Sequence, residues 1–178
     1  MTKNKVVMDA EGIDRSLTRI AHEILEENKG MEDLVIIGIR EEGVFLGQRI
    51  GKKIATVEKT DVPLGILDIT LYRDDVLSKV KKPKLGKTDI PFCLDNKKVV
   101  LIDDVIFTGR TIRAAMDALM DFGRPMLIQL AVLIDRGHRE LPIQPNFVGN
   151  SLPSSLWEKV SVNLVEIKGI DEVVIEYI

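Results

Sequence analysis

An apolar run, VVLI at positions 99–102, ends in two adjacent carboxylates, Asp103 and Asp104. It then passes through Val105, Ile106 and Phe107 into Thr108, Gly109, Arg110 and Thr111. Two buried carboxylates without partners are costly, or their pKa values rise until they neutralise. They make chemical sense against hydroxyl donors or a divalent cation. The residues that follow supply complementary chemistry. A helix opening at Thr108–Thr111 would present free backbone N–H groups and a partial positive charge to a phosphate. Gly109 lets backbone approach a ligand closely, and the two threonine hydroxyls add donors. Asp and Thr are also ordinary capping residues. The strand, turn and helix together favour acceptors for sugar hydroxyls beside a phosphate cradle, a ribose 5-phosphate site.

The surrounding elements must bring that site to a sheet edge. Residues 10–29 place Ile13, Leu17, Ile20, Ala21, Ile24 and Leu25 at helical spacing, and Gly30 is a natural stop. LVIIGI (34–39) is a continuous apolar run, as expected of a strand covered on both faces. A second helix is predicted from about Gly43 to Val57, and a strand over 62–72. The segment 97–106 is the third buried strand, a helix follows it, and 126–135 is the fourth. Shorter β-like pieces are predicted around Phe147–Gly149, Ser161–Ile167 and Glu172–Ile178. Strands alternating with helices imply an α/β fold, a mostly parallel central sheet flanked by helices. Ligands of such sheets bind at the carboxyl ends of the strands, where Asp103 and Asp104 fall.

Composition sets the bounds. The 178 residues suit a single domain, 1–178, with 45% apolar and 30% charged residues. A net charge of −3 gives no global attraction to nucleic acid, so such contact needs a local patch. Cys93 is the only cysteine, which excludes an internal disulfide and fits a reducing compartment. No run approaches a membrane span, and a cytoplasmic protein without membrane association is expected. No G-x-G-x-x-G follows a strand, and neither a P-loop nor a G-x-S-x-G elbow occurs, which argues against a dinucleotide enzyme, a P-loop NTPase and a serine hydrolase.

The thirteen-residue pattern closely resembles the phosphoribosyl pyrophosphate signature of type I phosphoribosyltransferases. LTRIAHEI, NKG, LDITLYRDD, MDAL, GRP, IQLAVL and DRGHRELPI extend the likeness over nearly the whole chain. Together they are similar to the pyrimidine operon attenuation regulators that double as uracil phosphoribosyltransferases. The resemblance implies the type I phosphoribosyltransferase fold with a small C-terminal hood of short strands, about 136–178. It implies a reaction of uracil with phosphoribosyl pyrophosphate to give UMP and pyrophosphate, with Mg²⁺ held at Asp103 and Asp104 directly or through ribose hydroxyls and water. The phosphoribosyl site would comprise Asp103, Asp104, Val105, Thr108, Gly109, Arg110 and Thr111.

GIREEG (38–43) matches the family's pyrophosphate loop, with Ile39 and Arg40 as its binding residues. The chain departs there at Glu41 and Glu42. Those carboxylates either point outward, help hold Mg²⁺, or simply enrich a helix start. Residues 73–87, with six basic and two acidic side chains, match a mobile lid that includes Arg73 and Asp74. Such a basic stretch could instead be a solvated charge run. Phe107 stands where purine-specific relatives carry an acid, which favours a pyrimidine. Phe107, Ile134, Asp135 and Arg136 would border the base, unless Asp135, Arg136, Arg139 and Glu140 form a surface ion-pair network.

The family also binds leader mRNA when UMP is present. Arg15, Thr18, Arg19 and His22 lie on one helical stripe that matches its RNA-facing helix, with Arg139 as a further contact. From Arg136 to Ile178 the count is four basic against six acidic residues, which weakens an electrostatic patch there. Leu156 and Trp157 could pack against another subunit, or Trp157 could stack on a base. A homo-oligomer, a dimer or higher, is expected. The competing reading is a non-catalytic nucleotide-sensing regulator that keeps the site and has lost turnover through Glu41 and Glu42.

Overall fold

The computed structural model describes residues 4–72 and 86–177. Among these residues, eight strands and four α-helices run in the order β1 (Lys5–Asp9), α1 (Ala10–Asn28), β2 (Leu34–Ile39), α2 (Glu42–Glu58), β3 (Leu64–Leu67), β4 (Lys98–Ile106), α3 (Arg110–Leu119), β5 (Leu127–Asp135), β6 (Phe147–Ser151), β7 (Glu158–Asn163), α4 (Val165–Lys168) and β8 (Glu172–Tyr177). A 3₁₀ turn, Met120–Phe122, extends α3.

Five strands form one sheet in the order β3-β2-β4-β5-β6, every pair parallel. Strand alternation divides its side chains between two cores. Leu34, Ile36, Val100, Ile102, Ala131 and Leu133 pack with the apolar stripes of α1 and α2. Val35, Ile37, Val99, Leu101, Leu130 and Val132 pack with Ile112, Ala115, Ala118 and Leu119 of α3. Each fully buried Leu or Ile contributes about 1.5–3 kcal/mol. The continuous apolar reading of 34–39 thus has its cause in a sheet covered on both faces.

Local chemistry sets the helix ends. Asp9 caps α1 by accepting from Gly12 N at 2.8 Å. Lys29 and Gly30 close it with positive φ, and Gly30 N donates to Leu25 O at 2.9 Å.

Three expectations change. The strand predicted over 62–72 is only Leu64–Leu67. Pro63 has no N–H to give, and Asp68 accepts from Thr70 N at 2.8 Å and from the Thr70 hydroxyl, an Asx turn that breaks the extended chain. Val165–Lys168 is a helical turn rather than the end of a strand, closed at Gly169 with φ 75°. The second sheet, antiparallel in the order β1-β8-β7, takes a strand from each end of the chain. β6, by contrast, lies in the main sheet. Val160, Val162, Val173 and Ile175 seat the small sheet on the α1–α2 core. Arg49 of α2 ties it down, donating to Glu166 and Asp171 at 2.6–2.9 Å. Among the described residues, no helix is long and apolar enough to cross a membrane.

Candidate functional site

β4 is buried through Ile102 and carries its last residues to the carboxyl edge of the sheet. Asp103 is 6% exposed there, and Asp104 is half-buried. Asp103 Oδ1 accepts from Asp104 N at 3.0 Å, and among the described residues neither carboxylate has an ion-pair partner. Burial, then the neighbouring Asp104 charge, pushes the Asp103 carboxyl well above the usual range. Burial, then Glu42, pushes Asp104 up to about 6. The fold therefore holds an acceptor pair whose natural complements, hydroxyl protons or a cation, are not supplied by the described residues.

Immediately after β4 the chain turns at Gly109, whose φ of 92° is the left-handed region that glycine adopts freely. Thr108 Oγ1 accepts from Arg110 N at 3.3 Å, and Thr108 O accepts from Glu140 N and Leu141 N at 2.9 and 3.2 Å. The turn is thereby fixed to the segment after β5. Residues 105–112 and Glu140 line a cavity of about 240 Å³. The first-turn N–H groups of α3 at this cavity have no intrahelical acceptor. A phosphate-sized anion is the ligand this lining suits. Arg110 Nε donates to Glu140 at 2.7 Å on its rim.

The 38–43 loop lies against the same edge. A Cβ on Gly43 would stand 2.4 Å from Ile102 O, and one on Gly38 would stand 2.5 Å from Val44 Cα. Only glycine allows the start of α2 to approach β4 this closely. The Arg40–Glu41 peptide is cis. Arg40 N donates to Leu67 O at 3.0 Å, and its exposed side chain reaches Lys87 O at 3.2 Å. Ile39 is buried at the end of β2. Glu41 is exposed, whereas Glu42, the first residue of α2, is half-buried and acts on both aspartates. Among the described residues no three His, Cys, Asp or Glu side chains form a metal-holding cluster. The donor set that does stand here, the adjacent carboxylates of Asp103 and Asp104, is of the kind a hard cation such as Mg²⁺ takes, its shell completed by water and ligand phosphates.

Beyond β5 the chain forms a second cavity of about 430 Å³, lined by Asp135, Arg136, Gly137, His138, Ser151, Pro153 and Ser154. Ile134 is fully buried. Arg136 is 6% exposed, and its guanidinium lies 4.2 Å from the Phe107 ring centroid, a cation–π contact. Phe107 also meets the edge of His138, centroids 6.0 Å apart. Asp135 accepts from Arg139 at 2.7 Å and from Gly137 N at 2.9 Å. Burial raises its carboxyl, and those bonds more than offset the effect, holding it below the usual value. Asp135–Arg139 and Arg110–Glu140 are ion pairs, while Arg136 is not paired in this way and lines the cavity.

Arg139, the further RNA contact expected, is held within its own loop. It also donates to Ile143 O and Phe107 O at 2.9 and 3.1 Å, binding the loop together. The helical stripe is similarly engaged. Arg15 pairs with Glu11, and Lys53 donates to Thr18 at 2.8 Å. Arg19 reaches Glu23 and the Val148 and Gly149 carbonyls of the outer strand β6. His22 is exposed. Arg73, Asp74 and the expected lid up to residue 85 lie outside the described residues.

Sequence reasoning missed Asp68, which accepts from both Thr70 and Gly86 N. Burial raises its carboxyl, but these bonds and Arg40 hold it below its ordinary value. The D-x-T spacing of an Asx turn was the available signal. It also missed the fastening of His138 and Arg136 to Ser154 and Ser155, which needs a contact between segments far apart in the cavity wall.

Residues 6–164 match the model of the phosphoribosyl transferase domain. The "Bifunctional protein PyrR" of Pelotomaculum thermopropionicum is 59% identical over 169 residues, 95% of this chain and 93% of that protein. The protein of the same name from Halalkalibacterium halodurans is 54% identical over 175 residues, 97% of each. Among solved structures, a hypoxanthine-guanine phosphoribosyltransferase of Bacillus anthracis superposes with a TM-score of 0.70 at 20% identity, over 100% of this chain and 99% of that one. The hypoxanthine phosphoribosyltransferase of Trypanosoma cruzi gives 0.73 at 15% identity, covering 97% and 96%. At such identities the superpositions speak for the fold alone.

Proposed function

The chain belongs to the phosphoribosyl transferase domain family, and from that premise we propose that it is a uracil phosphoribosyltransferase that also regulates pyrimidine synthesis by binding leader mRNA. The observation that carries the catalytic reading is the pair of buried Asp103 and half-buried Asp104, a few residues ahead of the Gly109 cradle on the same run of chain. Substrates are uracil and phosphoribosyl pyrophosphate, and products are UMP and pyrophosphate. N1 of uracil bonds to C1′ of the ribose as the bond from C1′ to pyrophosphate oxygen breaks, and the N1 proton passes to solvent.

Each part of the site has one task. The first turn of α3, with Thr108 and Thr111, holds the 5′-phosphate through backbone N–H groups and hydroxyls. Asp103 and Asp104 accept from the ribose hydroxyls and fix the sugar between its two reaction partners. Ile39 and Arg40 take the leaving pyrophosphate at the start of α2. Phe107, Ile134, Asp135 and Arg136 border the base. Among the described residues no side chain is placed as a strong general base, and catalysis is read as resting on geometry and on stabilising the leaving group. Asp103 and Asp104 would hold Mg²⁺, which would supply charge neutralisation to the pyrophosphate.

The test is direct. Purified protein with Mg²⁺, phosphoribosyl pyrophosphate and labelled uracil forms UMP, and Asp103→Asn with Asp104→Asn abolishes turnover. Glu42, beside the aspartates, gives the non-catalytic sensor its specific support: UMP binding measured by calorimetry without any turnover would select it and overturn the enzymatic reading. For regulation, Arg15, Thr18, Arg19, His22 and Arg139 are the proposed RNA-side residues, and the names of the relatives support two functions. A cytoplasmic homo-oligomer completes the reading.

A further inference from the structure

The linings of the two cavities touch where Arg136 lies over Phe107. Arg136 is buried, stacked on Phe107 of the phosphate turn, and donates through Nη2 to Ser155 O at 2.8 Å. Its Nε is the one buried side-chain donor without a partner among the described residues. Ser155 opens a compact tip: Trp157 N donates to Ser155 Oγ at 3.2 Å, and Ser155 N to Glu158 at 2.7 Å. At that tip Leu156 and Trp157 are 63% and 77% exposed. The preceding residues are fastened to the same strip, Leu152 N to Asp135 O and Ser154 Oγ to Arg136 O.

We propose that Arg136 is a positioning residue that couples the nucleotide site to the Leu156–Trp157 tip, so that a pyrimidine base entering the Asp135–Ser154 cavity moves the tip. The coupling rests on the reading of this site as a pyrimidine nucleotide site. Nε is buried and closed off from the cavity, so a base carbonyl completes it only if the guanidinium turns to meet it, and the penalty on a buried donor without an acceptor favours that turn. The guanidinium is planar and its donors have a fixed arrangement. Nε therefore cannot realign without carrying Nη2, and with it the Ser155 carbonyl and the turn that presents Trp157. Phe107 limits the motion to rotation across its ring face. The tip becomes an occupancy signal on the surface, away from the phosphate cradle.

Trp157 is the only tryptophan, so its emission reports this tip alone. UMP is titrated into the full-length protein while binding is followed in parallel by calorimetry. The expected result is a saturable emission change that tracks the binding heat. Ribose 5-phosphate, which occupies the cradle and leaves the base cavity empty, gives no such change. In Arg136→Gln, titrated to its own saturation, the change is at least halved, and Arg136→Lys does not restore it because a point charge lacks the fork. Should Arg136→Gln fail to fold, Phe107→Leu carries the same expectation. Binding heat without an emission change, an equal change with ribose 5-phosphate, or full amplitude in the variants overturns the coupling alone. Absence of UMP binding overturns the pyrimidine reading beneath it, and the coupling with it.

Discussion

Gly43→Ala tests whether the site depends on how closely two elements approach. The added methyl would stand 2.4 Å from Ile102 O, with Ile102 C and Asp103 Cα at 3.2 and 3.3 Å. All three atoms are backbone, so no rotamer change relieves the contact. Carbon–oxygen contacts between packed backbones normally run about 3.3–3.6 Å, so the start of α2 must retreat by about 1 Å. Overpacking of this kind costs about 1–3 kcal/mol. For a domain of this size that is a melting temperature lowered by about 2–12 °C. The retreat also separates Arg40 from Asp103 and Asp104, and a misplacement of about 1 Å can cost roughly 100-fold in turnover. Gly51→Ala, two turns further along α2, is the control: its Cβ would meet only Val62 Cγ1, at 3.4 Å. There the better helix former gains about 0.5–1 kcal/mol. Thermal melts by circular dichroism and initial rates of UMP formation measure both variants. A Gly43→Ala protein with wild-type melting and wild-type turnover would refute the argument that this approach builds the site.

Two further outcomes follow from side chains outside the cavities. Arg49→Ala removes the one cation shared by Glu166 and Asp171, groups only 19–29% exposed, and leaves two carboxylates facing one another. The expected loss at neutral pH is about 1–2 kcal/mol, above surface pairs and below a fully buried one. Arg49 holds both carboxyls below their ordinary values of 4.5 and 3.8, so its contribution is present above those values and disappears as pH falls through the lower folded ones. Denaturant melts of wild type and variant should therefore converge in acid; a constant difference would refute the linkage. On α1, His22→Ala lowers affinity for a pyrimidine leader transcript without changing the melt, and Arg19→Ala lowers both, because Arg19 also holds the carbonyls of β6. Each lost phosphate contact reduces the slope of log affinity against log salt by about 1, and unchanged slopes in a filter-binding series would count against the stripe.

The parts legible in the sequence are those whose signal is local. β2, β4 and β5 are continuous apolar runs because they are covered on both faces, and α1 announces itself by its stripe and by Gly30. Asp103, Asp104 and Gly109 were readable because a charged pair after a buried strand has few structural uses. What escaped depends on distant partners. Nothing in KVVMD says that it will pair with Glu172–Ile175, since half of that strand is exposed and its stability comes from the other end of the chain. Val165–Ile167 reads as strand by side-chain type, yet Val165 N bonds to Asp171 and Gly169 closes a helical turn. Tertiary bonds there override intrinsic preference.

The same distinction explains why Arg139 and Arg136 were hard to tell apart as residue types. Both are arginines in a polar stretch after a core strand, and composition treats them alike. Arg139 finds acceptors on three sides, from Asp135, Phe107 and Ile143, so its role in the fold is complete without a ligand. Arg136 is more deeply buried, has an aromatic face to lean on, and retains an unmatched donor. Folding alone would favour replacing such a group by an apolar one of similar volume. Together with Asp103 and Asp104, acids pushed up by burial, it marks where the chain forgoes stability, and all three border the edge at which β4 and β5 end. Unmet polar demand converging on one sheet edge is what a ligand site requires of its fold before any ligand arrives.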